Sequence, residues 1–305
     1  MIKRLIFTLY AIHLFCTTLW SSPLEKVSLQ LKWKYQFQFA GFIMATEKGF
    51  YEEVGLDVKL KEFKANLNVI NEVLTEESTF GIDDSQLIYY RLQGKPLVGL
   101  MTILQTSPVM FLALKESGFT NIKDLDGKRL EITNNSTLNI STQALLRAFH
   151  INTLKTSPTF HLDRLINHEV DAMVAYDSNE PYALKKLGYE PQVFSPMDYG
   201  FNFYGDILFT TEKTIQEDPQ LVKRMHDASK KGWEYAFTHR DETIDIILKK
   251  YNTQKHSRES LENEAKVLKK HSNEEHEFSF LDHDKVEAIA KAFAILFPSK
   301  YDLST

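Results

Sequence analysis

The chain has 305 residues, 43% of them hydrophobic, a net charge of −5 and a single cysteine, Cys16. That length and apolar share allow one large domain or two lobes with cores of their own. Mild acidity without a basic block argues against nucleic acid or an anionic membrane surface as partner, and a lone cysteine leaves no internal disulfide and no cysteine metal site.

At the N-terminus, Lys3 and Arg4 precede an almost unbroken apolar run over 5–20, followed by Ser21, Ser22 and Pro23. This order reads as a secretory signal peptide over residues 1–22. The run is shorter than the ~20 residues a spanning helix needs, although an uncleaved anchor is the alternative. Phe15 is too large for the small residue that precedes a lipidated cysteine, which argues against a lipoprotein reading of Cys16. Cleavage removes two basic and no acidic residues, taking the charge from −5 to −7, and it removes the cysteine. A cysteine-free exported chain suits a periplasm, where a large domain can rely on its core alone.

Beyond the leader, strand and helix alternate. Strands are expected over 27–31, 56–60, 80–82 and 97–104, with helices over 39–48, 67–74 and 85–92 between them. A second alternating unit follows: strands over 109–114, 129–133 and 171–176, extended chain at 191–194, and helices over 136–149, 162–167 and 181–187. A strand at 207–211 returns to the first pattern. The tail then reads as helices over 219–238, 242–251, 257–271 and 283–297. Alternation of this kind marks α/β sheets with helices on their faces. The crossing and return predict two lobes: 23–108 with 207–305, and 109–206. Ligands of open α/β sheets bind at strand ends and commonly between lobes. The late apolar stretch 286–297 is too short to span a membrane, contains Lys291 and has helical spacing, so it reads as an amphipathic helix.

One stretch poses a question of its own. In LKWKYQFQFAGF, Trp33, Tyr35, Phe37 and Phe39 occupy alternate positions, with Lys34, Gln36 and Gln38 between them. A buried strand and a ligand-stacking loop both fit that pattern. The stretch continues into Glu47-Lys48-Gly49-Phe50-Tyr51 and Val54-Gly55-Leu56-Asp57-Val58. In order along the chain follow Phe80-Gly81-Ile82-Asp83, Arg91 with Gly94 and Pro96, Asp124-Leu125 with Gly127-Lys128-Arg129, Asp171-Ala172, Asn179-Glu180-Pro181, Asp198-Tyr199-Gly200, and Lys231-Gly232-Trp233-Glu234-Tyr235-Ala236. Each motif is weak alone. The ordered series, covering about residues 27 to 252, resembles the periplasmic substrate-binding proteins related to thiamine-pyrimidine-precursor binding and to fungal thiamine pyrimidine synthase.

The resemblance implies a type II periplasmic-binding-protein fold, two α/β lobes closing over a small molecule, with a helical C-terminal tail. It implies service to an ABC importer of pyrimidines or, in distant branches, of sulfonates. The Lys-Trp-Lys-x-Gln-Phe-Gln-Phe-Ala-Gly form is also similar to ligand-binding domains placed ahead of membrane sensor kinases or cyclases. Sensing through a separate membrane partner is therefore the alternative to delivery to an ABC permease. The fungal relatives are enzymes, which the resemblance ties to a cysteine-rich iron-binding segment and a consumed histidine. The chain past its leader has no cysteine, and no histidine lies between His13 and His150. No catalytic residue is therefore assigned, and a monomer without cofactor is expected.

Candidate ligand residues follow from residue chemistry. Trp33 offers a flat face for stacking on a heteroaromatic ring, or else packs at the sheet edge. Tyr35 and Phe37 would flank the mouth, with at least one of them core. Gln36 and Gln38 could pair with ring nitrogens, or else be solvated. Asp83 and Asp84 end a strand and would attract an amine or a protonated ring nitrogen; Asp83 is expected toward the ligand, and Asp84 or Ser85 at the helix cap. Asn179 and Glu180 precede Pro181 at a helix start, where Glu180 could instead serve only as a helix-terminus acid. Tyr176, Tyr199 and Tyr204 would close from the opposite side, with at least one of them core. Asn134, Asn135 and Ser136 stand at a helix N-terminus able to bind an anion or a carbonyl, or to act as plain caps. His271 and His276 beside Glu274, Glu275 and Glu277 have metal-ligand types but read as a solvated charged face. Carboxylates, amides and aromatics predominate, which predicts a neutral or cationic nitrogen heterocycle.

Overall fold

The computed structural model describes residues 23–64, 67–132, 140–159, 161–272 and 278–297. Strand β1 (Glu25–Gln30) is followed by a loop and a 3-10 turn (Phe37–Phe39), then by α1 (Ala40–Glu47) and α2 (Phe50–Glu53). Next come β2 (Leu56–Lys61), α3 (Val69–Leu74), β3 (Phe80–Asp83), α4 (Gln86–Leu92) and β4 (Leu97–Thr102). The chain crosses to β5 (Val109–Leu114), β6 (Arg129–Glu131), α5 (Ile140–Ala148), β7 (Leu154–Thr156), α6 (Asp163–Ile166), β8 (Ala172–Tyr176), α7 (Glu180–Lys186) and β9 (Pro191–Phe194). It returns through β10 (Ile207–Thr211) and ends in α8 (Glu212–Glu217), α9 (Pro219–Thr238), α10 (Arg240–Ile246), α11 (Arg258–Ser272) and α12 (His283–Leu296). Among the described residues no helix is long and apolar enough to cross a membrane.

The strands fall into two five-stranded sheets of the same plan, β2-β1-β3-β10-β4 and β7-β6-β8-β5-β9. In each, three parallel strands adjoin one antiparallel strand that has just arrived from the other sheet: β10 against β3 in the first, β5 against β8 in the second. Residue pattern follows position. Central β5 (VMFLAL) is buried along its whole length, whereas edge strand β2 (LDVKLK) begins by alternating buried and exposed. Short β7, with exposed Leu154, pairs with β6 at the sheet edge among the described residues; its three residues carry too little alternation to be read from sequence.

The two crossings run side by side. Ile103 N–H donates to Asp206 O at 2.7 Å, Gly205 N–H to Leu104 O at 2.9 Å, and Ser107 N–H to Phe203 O at 2.9 Å. A side chain at 205 would meet Leu104 Cβ at 2.7 Å, so only glycine lets the crossings approach this closely. This paired ribbon forms the floor between the lobes.

The sequence reading placed α11 and α12 with the first lobe, but both touch the two lobes. α11 packs on the 3-10 turn and on α7, and α12 packs on α4 and α5. Asn263 Nδ2 donates to Ser178 O at 2.8 Å, and Arg147 Nη1 to Leu296 O at 3.1 Å. His271, expected on a solvated face, is half-buried and joins Thr106 Oγ1 of the first crossing (2.7 Å) to Asp177 Oδ2 of the second lobe (3.2 Å).

Candidate functional site

Three segments meet above the floor: the loop after β1, the end of β3, and the crossing before β10. The end of β8 reaches them from the second lobe. At their centre lies Lys32, whose Nζ is 3.1 Å from Asp84 Oδ2 and 3.3 Å from Asp206 Oδ1. Asp206 is buried and saturated: Oδ2 accepts from Gln38 Nε2 at 2.8 Å, and Oδ1 accepts from the Tyr176 hydroxyl at 3.1 Å. Gln38 Nε2 also donates to the Tyr176 oxygen at 3.0 Å. Behind Gln38 an amide relay runs outward. Gln36 Nε2 donates to Gln38 Oε1 at 2.8 Å, and Gln254 Nε2 to Gln36 Oε1 at 3.2 Å.

The electrostatics follow from burial. Desolvation works against the Lys32 charge, but Asp84, Asp206, Tyr176 and Asp83 together outweigh it and hold its pKa above the usual lysine range. Burial raises Asp206, with Lys32, Gln38 and Tyr176 opposing the rise. Burial and the neighbouring Asp84 push Asp83 up to about 7. Burial, reinforced by Asp206, also lifts the Tyr176 hydroxyl above its usual value.

The aromatic run is a loop that closes into a 3-10 turn, and not a strand. Residues 32–36 form an irregular loop, and Phe37–Phe39 a 3-10 turn. Trp33 is half-buried and stacks on Phe63, with centroids 5.3 Å apart and planes 22° from parallel. Tyr35 leans to the sheet edge: its hydroxyl donates to Leu60 O at 3.0 Å and its ring meets Tyr251 edge-on. Gln36 and Gln38 are buried members of the relay and not solvated.

Other expectations need correction. Phe37 is wholly buried, packed in the first lobe's core toward Phe237, because the 3-10 turn points its ring down. Tyr204 is also core, on the first-lobe side, its hydroxyl accepting from Asp282 N–H at 2.8 Å. Tyr199 belongs to the second lobe's apolar cluster, where it meets Phe149 edge-on and accepts from Ile122 N–H at 3.1 Å. Of the three tyrosines only Tyr176 meets residues of the first lobe at the site.

Of the two aspartates, Asp84 takes the cap role expected of it or of Ser85, and it is Asp84, not Asp83, that makes the contact at the centre of the site. Asp84 both accepts the capping N–H of Gln86 (2.9 Å) and faces Lys32, while Asp83 is tied down by Asp84 N–H and the Gln86 amide. Ser85 makes no cap bond; its hydroxyl donates to Tyr204 O. Glu180 Oε2 accepts from Tyr176 N–H at 2.7 Å, which places it behind the site as an anchor of β8, and burial raises its pKa. Half-buried Asn179 precedes α7 and makes no side-chain cap. Asn134, Asn135 and Ser136 lie outside the described residues, as does His276.

Sequence reasoning missed Lys32, Asp206 and Glu264. Each carried a signal: a lysine directly after the apolar end of a strand, an aspartate directly before a fully buried strand, and a glutamate on the apolar stripe Leu261, Ala265, Leu268 of a helix. An ionisable residue at a position that periodicity marks as buried needs a partner.

Two α/β lobes of like strand order, joined by a paired crossing with polar groups gathered above it, define a periplasmic-binding-protein fold. The periplasmic aliphatic sulphonate binding protein SsuA from Escherichia coli matches it with TM-score 0.68 at 15% identity, over 92% of this chain and 90% of that one. Residues 36–243 match the NMT1/THI5 like family, and the chain belongs to it. Among curated relatives, the riboflavin-binding protein RibY of Chloroflexus aurantiacus is 26% identical over 240 residues, covering 74% of this chain and 66% of the relative. The formylaminopyrimidine-binding protein of Halalkalibacterium halodurans is 24% identical over 238 residues, covering 74% and 70%. The chain thus spans just under two thirds of the length of the first relative.

Proposed function

We propose that the protein is a periplasmic solute-binding protein that captures a small nitrogen-containing molecule by lobe closure and delivers it to an ABC importer, with a pyrimidine related to thiamine precursors as the leading ligand. The observation that carries the reading is the meeting of Tyr176 from the second lobe with Asp206 and Gln38 of the first. A group that bridges lobes at the ligand position makes closure dependent on what lies there. The chemistry supports a hydrogen-bonding heterocycle: Lys32 already balances Asp84 and Asp206, and the amides supply both donors and acceptors. The names of the riboflavin- and formylaminopyrimidine-binding relatives support nitrogen heterocycles as the class. The site is read as a binder: Lys32, Asp84, Asp206 and Tyr176 hold one another in place across the lobes, as a ligand cradle requires.

One observation favours a second reading, ligand sensing through a separate membrane partner. α11 and α12 touch both lobes, so the relative position of the lobes is carried to the C-terminal helices.

The test is native mass spectrometry of the protein purified without refolding, followed by thermal shift with the molecules found, in wild type and in Trp33→Ala. An aminopyrimidine that stabilises the wild type and not the variant supports the reading and gives Trp33 its stacking role. Tight sulfonate binding without pyrimidine binding rejects the ligand class.

A further inference from the structure

α11 begins beyond the part of the chain that matches the family, yet it sends one carboxylate into the site. Glu264 is 1% exposed. Its Oε2 accepts from Phe37 N–H and its Oε1 from Gln38 N–H, both at 3.0 Å, so the carboxylate straddles the start of the 3-10 turn. These two backbone groups are unpaired at a helical start, and a side-chain acceptor satisfies them as a cap does. Here the acceptor comes from 226 residues further along the chain. The turn it fixes is the one that aims Gln38 Nε2 at Asp206 and Tyr176.

We infer that Glu264 is a positioning residue of the binding site, which holds the Phe37–Phe39 turn in the one register that directs the Gln38 amide to ligand and second lobe. The inference rests on the proposed binding function only for its affinity readout. Glu264 acts through Gln38 and need not touch ligand. Its burial is itself an argument: burial pushes its pKa up to about 8 against the pull of the two N–H donors, and Asp206 from the crossing and Glu180 from α7 add a smaller push. Ionising an acid at such a place costs stability, so an apolar residue would pack there more cheaply unless the paired acceptor oxygens were needed.

The test compares wild type, Glu264→Gln, Gln38→Ala and the double variant. Glutamine keeps the shape but turns one acceptor into a donor facing an N–H, so circular dichroism and a cooperative melt check that the variant folds. In ¹⁵N-labelled protein, the Phe37 and Gln38 backbone amides and the Gln38 side-chain amide are expected to shift in Glu264→Gln. With riboflavin and a formylaminopyrimidine as probes, affinity is expected to fall at least tenfold in Glu264→Gln and no further in the double variant than in Gln38→Ala alone, because one residue acts through the other. Unchanged Gln38 side-chain resonances, or affinity losses that add in the double variant, overturn the inference. A wild type that binds neither probe counts against the proposed ligand class, and the amide shifts then decide the role of Glu264 by themselves.

Discussion

At the residue scale, the site balances one cation against buried carboxylates, and that balance sets two expectations. Lys32→Ala leaves Asp84 and Asp206 facing each other without their shared partner. Removing one member of a buried pair is costly because the other charge stays behind; with Lys32 17% exposed, a loss of about 3 kcal/mol is expected in urea unfolding. Lys32→Ala with Asp206→Asn should recover part of that loss. The second expectation concerns pH. Asp83 and Glu264 have folded pKa values of about 7 and about 8, well above the value near 4 of unfolded carboxylates. Between those limits the folded state holds protons that the unfolded state has released. Their contribution is therefore fully present below about pH 4 and is lost as pH rises toward 8. The urea midpoint should fall from pH 5 to pH 8, and less steeply in Glu264→Gln; an unchanged slope in that variant would contradict the assignment. Lys32, Asp206 and Glu264 were the residues least visible in sequence. Chemistry-bearing types were legible at Trp33, Gln38, Asp84 and Tyr176, but no pattern shows that Asp206 and Lys32 converge, because 174 positions separate them and only the crossing brings them together.

Where elements pack, legibility was higher, because periodicity and punctuation act locally. Pro219–Thr238 and Ile207–Thr211 were readable to their ends: Asp218 caps the first, its carboxylate accepting from Leu221 N–H at 2.8 Å, and β10 is fully buried. The aromatic alternation at 33–39 left strand and loop both open for a physical reason. Period-two spacing over so short a run does not separate a strand from a loop that closes into a 3-10 turn, and what selects the turn is Glu264, which lies far along the chain. The Lys-Gly-Trp series has a steric origin in the contact of α9 with α1. A side chain at Gly232 would meet Gly41 O at 2.2 Å and Ala45 Cβ at 2.7 Å. Gly232→Ala gains about 1 kcal/mol of helix propensity. Forcing the two backbones apart costs more, about 3 kcal/mol for overpacking of this kind. A net fall in stability of about 2 kcal/mol is expected by thermal unfolding, and a neutral or stabilised variant would show that the helices can separate freely.

For the whole molecule, the question is what holds the lobes in their present relation. Among the described residues, ties cross between them at the site, from Tyr176 to Asp206 and Gln38; through α11, from Asn263, His271 and Glu259; and through α12, to Arg147. The outer ties are half-exposed and weak singly, since surface polar contacts contribute little against solvent. The inner tie is different. Its acceptor is a buried carboxylate, and a hydrogen bond to a charged group contributes about 1.5 to 3 kcal/mol. Tyr176→Phe keeps the ring against the first-lobe core and removes only the hydroxyl. The ratio of closed to open molecules should therefore fall about 10- to 100-fold, with little change in the stability of either lobe. Dyes at Asp57→Cys and Lys185→Cys, both exposed and on opposite lobes, would report this as a longer mean distance in the variant. If the distance is unchanged, closure is held by α11 and α12, and the C-terminal helices rather than the ligand site set the resting state. That result would favour sensing over transport, because lobes clasped from outside respond to whatever grips the clasp.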